Sequence, residues 1–64
     1  MDLITAKMTV KDLFPSFARY GFRLWHPTEY PKDVFRVQAC FGDEFYGHEF
    51  IADLREGQTD LIQD

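Results

Sequence analysis

Aromatic side chains set the strongest limit on what this chain can fold into. Its 64 residues include seven Phe, three Tyr and one Trp, against five Leu. A chain this short buries only about 60% of the surface that its unfolded form exposes, but each aromatic side chain can bury roughly 150–250 Å². We therefore expect one small domain around an aromatic core. Ligand pockets of roughly 300–1,000 Å³ are hard to fit into such a core, so the size favours a function at the surface.

The single cysteine, Cys40, excludes an intramolecular disulfide. Secreted domains of this size usually carry several disulfides or a structural metal. No basic leader with an apolar core opens the sequence, and no apolar run approaches the roughly 20 residues that span a bilayer. We therefore expect a cytoplasmic protein with no membrane segment.

The strongest local pattern is a β-hairpin over residues 35–51. Two alternating segments flank Gly42-Asp43, a pair typical of a tight two-residue turn. The register that this turn implies pairs Phe35 with Phe50, Val37 with His48 and Arg36 with Glu49. It places an apolar stripe on one face and an opposite-charge pair on the other, as a correct register requires.

The outward face of this hairpin would carry Phe45 and Ile51 beside Cys40, with Trp25 near them. If another element covers these side chains, they belong to the core. If none does, they form an exposed apolar patch rimmed by acids, which is the composition of a protein-binding surface. We expect that another element covers these side chains.

Two patterns divide the first 21 residues. An apolar residue stands at every second position in Ile4, Ala6, Met8 and Val10, the period of a half-buried strand. This segment is therefore predicted to be extended, with the alternative that a helix already begins near Thr9. Apolar residues at helical spacing then predict a helix from about residue 13 to 20, capped by Thr9 or Asp12. Pro15 either kinks this helix or lies in its first turn. Gly21 suits the left-handed position that closes a helix.

The remaining segments complete an α+β fold class. Residues 22–25 are predicted to form a strand, and residues 26–32 form a loop stiffened by Pro27 and Pro31. Residues 52–56 are predicted to form one helical turn that Gly57 ends. We expect a compact single domain over residues 1–57, in which one helix packs on an antiparallel sheet of three or four strands containing the 35–51 hairpin. Residues 58–64 are expected to be a flexible acidic tail.

No group of residues predicts catalysis, cofactor binding or a metal site. His26, His48 and Cys40 lack the four closely spaced ligands of a zinc site, and Cys40 and His48 fall on opposite faces of the predicted hairpin. The acidic pairs lie in solvated turns, where nothing shifts their pKa toward general acid–base chemistry. We therefore expect a non-enzymatic protein without a cofactor.

The net charge of −4 is unevenly distributed. Residues 1–42 carry a net charge of +2 and residues 43–64 a net charge of −6. This opposes direct binding to nucleic acid, which needs clustered Lys and Arg, and favours a larger host protein with a basic surface. The residues predicted to contact that partner are Asp43, Glu44, Phe45, Tyr46, Glu49, Asp53 and Glu56.

Size and charge predict a small inhibitor more than an enzyme. An acidic chain of this length beginning with its own methionine is typical of phage or mobile-element proteins that block a host complex. One form of this hypothesis is a DNA mimic, whose carboxylates replace phosphates in a nucleic-acid-binding groove, as in some anti-restriction and anti-CRISPR proteins. The alternative is a structural subunit or homodimer joined through the apolar hairpin face or an open sheet edge, so the chain is expected to be a monomer or a homodimer.

Overall fold

The chain begins with a helix. The computed structural model describes residues 1–40 and 47–62. Asp2 is the N-cap of α1 (Leu3–Leu13), and its carboxylate accepts a hydrogen bond from the Thr5 backbone N–H at 2.7 Å. The helix stops at Phe14, and Pro15 then opens a second, four-residue helix, α2 (Pro15–Ala18).

The extended segment predicted before residue 10 is wrong, because two apolar sets are interleaved there. Ala6 and Val10 lie four residues apart and are fully buried. Ile4 and Met8 also lie four residues apart, but they are 77% and 62% exposed. Each set has helical spacing, and together they alternate like a strand.

Pro15 begins the second helix, and Gly21 follows its end. Pro15 is the first residue of α2, where its missing N–H and fixed φ are tolerated, so it starts a helix and does not kink one. The predicted helix from residue 13 to 20 is therefore correct only for α2. Gly21 has φ +92°, the predicted left-handed conformation. Phe17 and Phe22 pack across this bend with ring centroids 6.3 Å apart.

Four antiparallel strands form one open sheet, which confirms the α+β class. They are β1 (Phe22–Trp25), β2 (Val34–Ala39), β3 (Glu49–Asp53) and β4 (Gln58–Leu61). Their order across the sheet is their order along the chain, so each strand pairs with the next. The predicted strand at residues 22–25 is confirmed as β1.

The predicted pairing of β2 with β3 is confirmed, but its register is shifted by two residues. The structure pairs Val37 with Phe50, Phe35 with Ala52 and Arg36 with Ile51, so the predicted Arg36–Glu49, Phe35–Phe50 and Val37–His48 pairs are wrong. A shift of two keeps every side chain on its predicted face, because strand side chains alternate. The Gly42-Asp43 turn lies outside the described residues.

A second hairpin replaces both the helical turn and the tail predicted near the C-terminus. Residues 54–57 form a turn in which Asp53 Oδ1 accepts hydrogen bonds from the backbone N–H groups of Arg55 at 3.0 Å and Glu56 at 3.2 Å. Gly57 has φ +69° and leads into β4. The Ile62 N–H then donates to the Glu49 carbonyl at 2.9 Å, so the pairing continues one residue beyond β4.

The core lies between the helices and one face of the sheet. Its most buried members are Ala6, Val10, Phe22, Phe35, Val37, Ala52 and Leu54, and Phe14, Phe17 and Leu24 pack against them. Phe17 also contacts Phe50, with ring centroids 5.1 Å apart. Side chains from β1, β2 and β3 at alternate positions therefore share one covered face, which fixes where the other face points.

Candidate protein-binding face

The sheet face opposite the core cluster is the candidate site, and we call it the open face. The strand registers place on it Arg23, Trp25, Val34, Arg36, Gln38, Glu49, Ile51, Asp53, Gln58 and Asp60, of which Val34 is buried. Among residues 1–40 and 47–62, neither helix packs on this side. The outward hairpin residue Ile51 is therefore part of a face that the described helices leave uncovered, whereas Cys40 is 8% exposed and buried.

One cross-strand row runs over the whole width of the open face. Trp25 lies opposite Arg36, Arg36 opposite Ile51, and Ile51 opposite Asp60. Neighbouring strands lie about 4.8 Å apart, so side chains in such a row contact one another. The row thus combines an aromatic ring, an aliphatic side chain and two opposite charges, with the apolar members on either side of Arg36.

Arginine and tryptophan also meet along β1. The guanidinium carbon of Arg23 lies 4.9 Å from the centre of the Trp25 ring, within the range of a cation–π contact. Both side chains point to the open face because they lie two residues apart in one strand. This contact holds Trp25 against the sheet with its apolar surface beside Arg36.

Arg36 is the least satisfied group of the open face. Its Nε atom is buried and has no hydrogen-bond partner within the described part of the chain. The ion pairs found there join the Met1 amine to Asp33 at 3.2 Å and Arg55 to Asp53 at 3.5 Å, so neither involves Arg36. Leaving a buried donor unpaired costs roughly 1–3 kcal/mol, and more for a charged group. The ion pairs of the described residues therefore leave the Arg36 charge without an acidic partner.

Charge divides the open face into two halves. The β1–β2 half carries Arg23 and Arg36, and the β3–β4 half carries Glu49, Asp53 and Asp60. Partial desolvation raises the pKa of the Asp53 carboxyl, but the hydrogen bonds from Glu56 and Arg55 and the Arg55 charge outweigh it and hold that pKa below its ordinary value. Asp53 therefore stays ionised at neutral pH.

The predicted contact residues fall into two groups. Glu49 and Asp53 lie on the open face, and Glu56 is exposed in the turn between β3 and β4. The other four predicted contact residues lie outside the described residues: Asp43, Glu44, Phe45 and Tyr46. The sequence-based list omitted Arg36 and Asp60. Arg36 had been placed on the outward face of the hairpin but paired with Glu49, and Asp60 had been assigned to the tail.

Cys40 and His48 line the same cavity. This apolar cavity has a volume of about 340 Å³ and is also lined by Phe17, Tyr20 and Phe50, so the two residues are not separated as the predicted hairpin placed them. His48 is exposed and Cys40 is buried, and within residues 1–40 and 47–62 no three His, Cys, Asp or Glu side chains come together as a metal site.

Comparison with known proteins identifies no relative: no family model, curated protein or solved structure matches the chain. Neither of the two helices in the described ranges has the length and apolar character needed to cross a membrane.

Proposed function

We propose that this protein is a non-enzymatic protein-binding module that contacts its partner through the open face. The observation that carries the proposal is the row in which Trp25 and Ile51 flank the unpaired Nε of Arg36. Trp and Arg are the residue types that contribute most to protein interfaces, above all when apolar neighbours exclude water around them. Such a row gains apolar contacts when a partner covers it, and the Arg36 charge can gain an acidic partner.

The two charged halves define the partner's surface. The negative half would pair with Lys or Arg side chains of the partner, because it carries Glu49, Asp53 and Asp60. Arg36 would pair with an acidic side chain of the partner. A basic host protein remains the proposed partner, and its nucleic-acid-binding groove is the narrower version of the proposal. In that version carboxylates of the β3–β4 half replace phosphates, as in a DNA mimic encoded by a phage. Arg23 and Arg36 limit such mimicry to one half of the face.

Capture from a lysate of the source organism tests the proposal. The bait is the immobilised chain, and the test variants are Arg36→Glu and the double variant Glu49→Lys/Asp60→Lys. Lys11→Glu on α1 matches the charge change of Arg36→Glu, and the double variant Asp12→Lys/Glu29→Lys matches that of Glu49→Lys/Asp60→Lys. The control positions are exposed and lie away from the open face. We expect proteins retained by the wild type and both controls to be lost with both test variants.

The electrostatic contribution to this binding is tested by the salt dependence of the association rate. Screening shortens the Debye length from about 10 Å at 0.1 M salt to about 3 Å at 1 M, so the association rate should fall as salt rises. If the captured protein binds DNA or RNA, that nucleic acid should compete with the chain. Retention of the same proteins by all four variants contradicts the use of the open face.

A further inference from the structure

The charge pattern of the open face is complementary to itself. Its positive half lies on β1 and β2, and its negative half lies on β3 and β4. Consider a second copy that packs face to face about a two-fold axis parallel to the strands. β1 of one copy then lies over β4 of the other, and β2 lies over β3. Each positive half therefore faces a negative half, and every contact occurs twice.

We infer that the first occupant of the open face is a second copy of this chain, so that self-association regulates access of the larger partner. In this arrangement Arg36 lies over Ile51 and beside Asp60 of the second copy. The charge of Arg36 gains an acidic partner that the described ion pairs of its own chain do not supply. Trp25 and Ile51 exclude water around the pair, which strengthens its attraction.

The size of the face predicts a weak dimer. Four strands about 4.8 Å apart and about five residues of roughly 3.4 Å each span only about 300 Å². A standard stable interface covers about 800 Å² per partner, so this pairing belongs with weak and transient contacts. Such a dimer separates readily, which leaves the face available to a partner with a larger matching surface. This inference rests on the proposed function, because the dimer and the larger partner would use the same face.

The exposed stripe of α1 is the competing surface. Ile4 and Met8 are 77% and 62% exposed and lie on the side of the helix opposite Ala6 and Val10. Lys7 and Lys11 border this stripe, but the described residues supply no matching acidic groove for it. The open face is preferred because it alone carries both an unpaired buried donor and charges of both signs.

Sedimentation equilibrium up to about 1 mM protein, the concentration range of weak complexes, tests the inference. We expect the apparent mass of the wild type to rise from one chain toward two, and Arg36→Glu and Asp60→Arg each to remain single chains. Equal mixing of these two variants should restore the two-chain mass, because both opposite-charge contacts then re-form. Lys11→Glu should behave like the wild type, and far-ultraviolet circular dichroism checks that each variant is folded.

Two outcomes overturn the inference. One is a wild type that stays a single chain at the highest concentration. The other is association that survives both open-face reversals and is abolished by Ile4→Ser/Met8→Ser, because the helix stripe would then be the interface. Either outcome can be told apart from failure of the proposed function. If the protein stays a single chain but still captures a partner through the open face, only the self-association inference fails.

Discussion

At Gly47 the chain approaches β2 so closely that a side chain has no room. A Cβ atom there would lie 2.7 Å from the Cβ of Ala39 and 2.8 Å from its carbonyl oxygen. Both contacts are with parts of the structure that cannot rotate away. We expect Gly47→Ala to lower the free energy of unfolding by on the order of 2 kcal/mol, the cost of overpacking, in urea denaturation.

Gly21 provides the comparison for that measurement. Its added Cβ would meet only the Cβ of Cys40 at 3.8 Å, an ordinary contact, so the cost of Gly21→Ala comes from φ +92° alone. That cost should be about 1 kcal/mol. A Gly47→Ala protein as stable as the wild type would show that Gly47 does not pack against Ala39.

The cap of α1 makes stability depend on pH at the acidic end. The hydrogen bond from the Thr5 backbone N–H lowers the pKa of Asp2 below its ordinary value of 3.8. A carboxyl group whose pKa is lower in the folded state stabilises the fold above its unfolded pKa, and this contribution is lost as pH falls through the folded pKa. Asp2→Ala should therefore lower Tm at pH 7 and change it far less near pH 2.

Thermal melts across this range measure the effect. Asp12→Ala is the control, because Asp12 is an exposed acid of the same helix near its C-terminal end, where a negative charge does not stabilise the helix. An equal loss of Tm for Asp2→Ala at both pH values would contradict a role for the ionised cap.

Among the elements, α1 was the least predictable from sequence. Its apolar residues occur on both the buried and the exposed side, so the inward pair Ala6 and Val10 and the outward pair Ile4 and Met8 combine into a false strand period. The apolar spacing alone does not distinguish the two patterns, because burial is decided by the sheet that the helix packs on. Asp2, a good N-cap residue two positions before Ile4, was the available signal.

The second helix gives a prediction about Pro15. Because Pro15 is the first residue of α2, its ring fits the helix and no backbone hydrogen bond is lost there. We expect Pro15→Ala to change the free energy of unfolding by less than about 1 kcal/mol, through the unfolded chain alone. A clear stabilisation in urea denaturation would instead place Pro15 inside a continuous helix.

The hairpins were predictable to different degrees. The pairing of β2 with β3 followed from two alternating segments, but its register rested on an assumed two-residue turn and is shifted by two residues in the structure. β4 was missed because Gln58, Thr59 and Asp60 are polar and lie at the sheet edge, where little burial marks a strand. The open face was foreseen only in part, since Ile51 was expected to point outward but Arg36 was expected to pair with Glu49.

Amide hydrogen exchange distinguishes β4 from a tail. The Ile62 N–H donates to the Glu49 carbonyl, so its exchange should be slower than that of an unstructured amide of the same sequence. The Glu56 backbone N–H in the exposed turn donates to the Asp53 carboxylate and not to a paired strand. Exchange of Ile62 at the unstructured rate would contradict the β3–β4 pairing.

For the whole molecule, the helices cover one face of a sheet that has two. Within the described residues, both helices lie on the core side, and aromatic and charged side chains lie on the second face. This open face carries charges of both signs, and its Arg36 takes part in none of the described ion pairs. We propose that the protein binds its partner through this face.

Trp25 is the only tryptophan in the chain and lies on the open face, so its fluorescence reports on that claim directly. The measurement is the emission spectrum and acrylamide quenching of Trp25 during titration with a captured partner that lacks tryptophan, or whose tryptophans have been replaced. Covering the face removes water from the ring, so we expect a blue shift and weaker quenching, both absent with Arg36→Glu and retained with Lys11→Glu. Saturable binding that leaves the emission and quenching of Trp25 unchanged would contradict the claim.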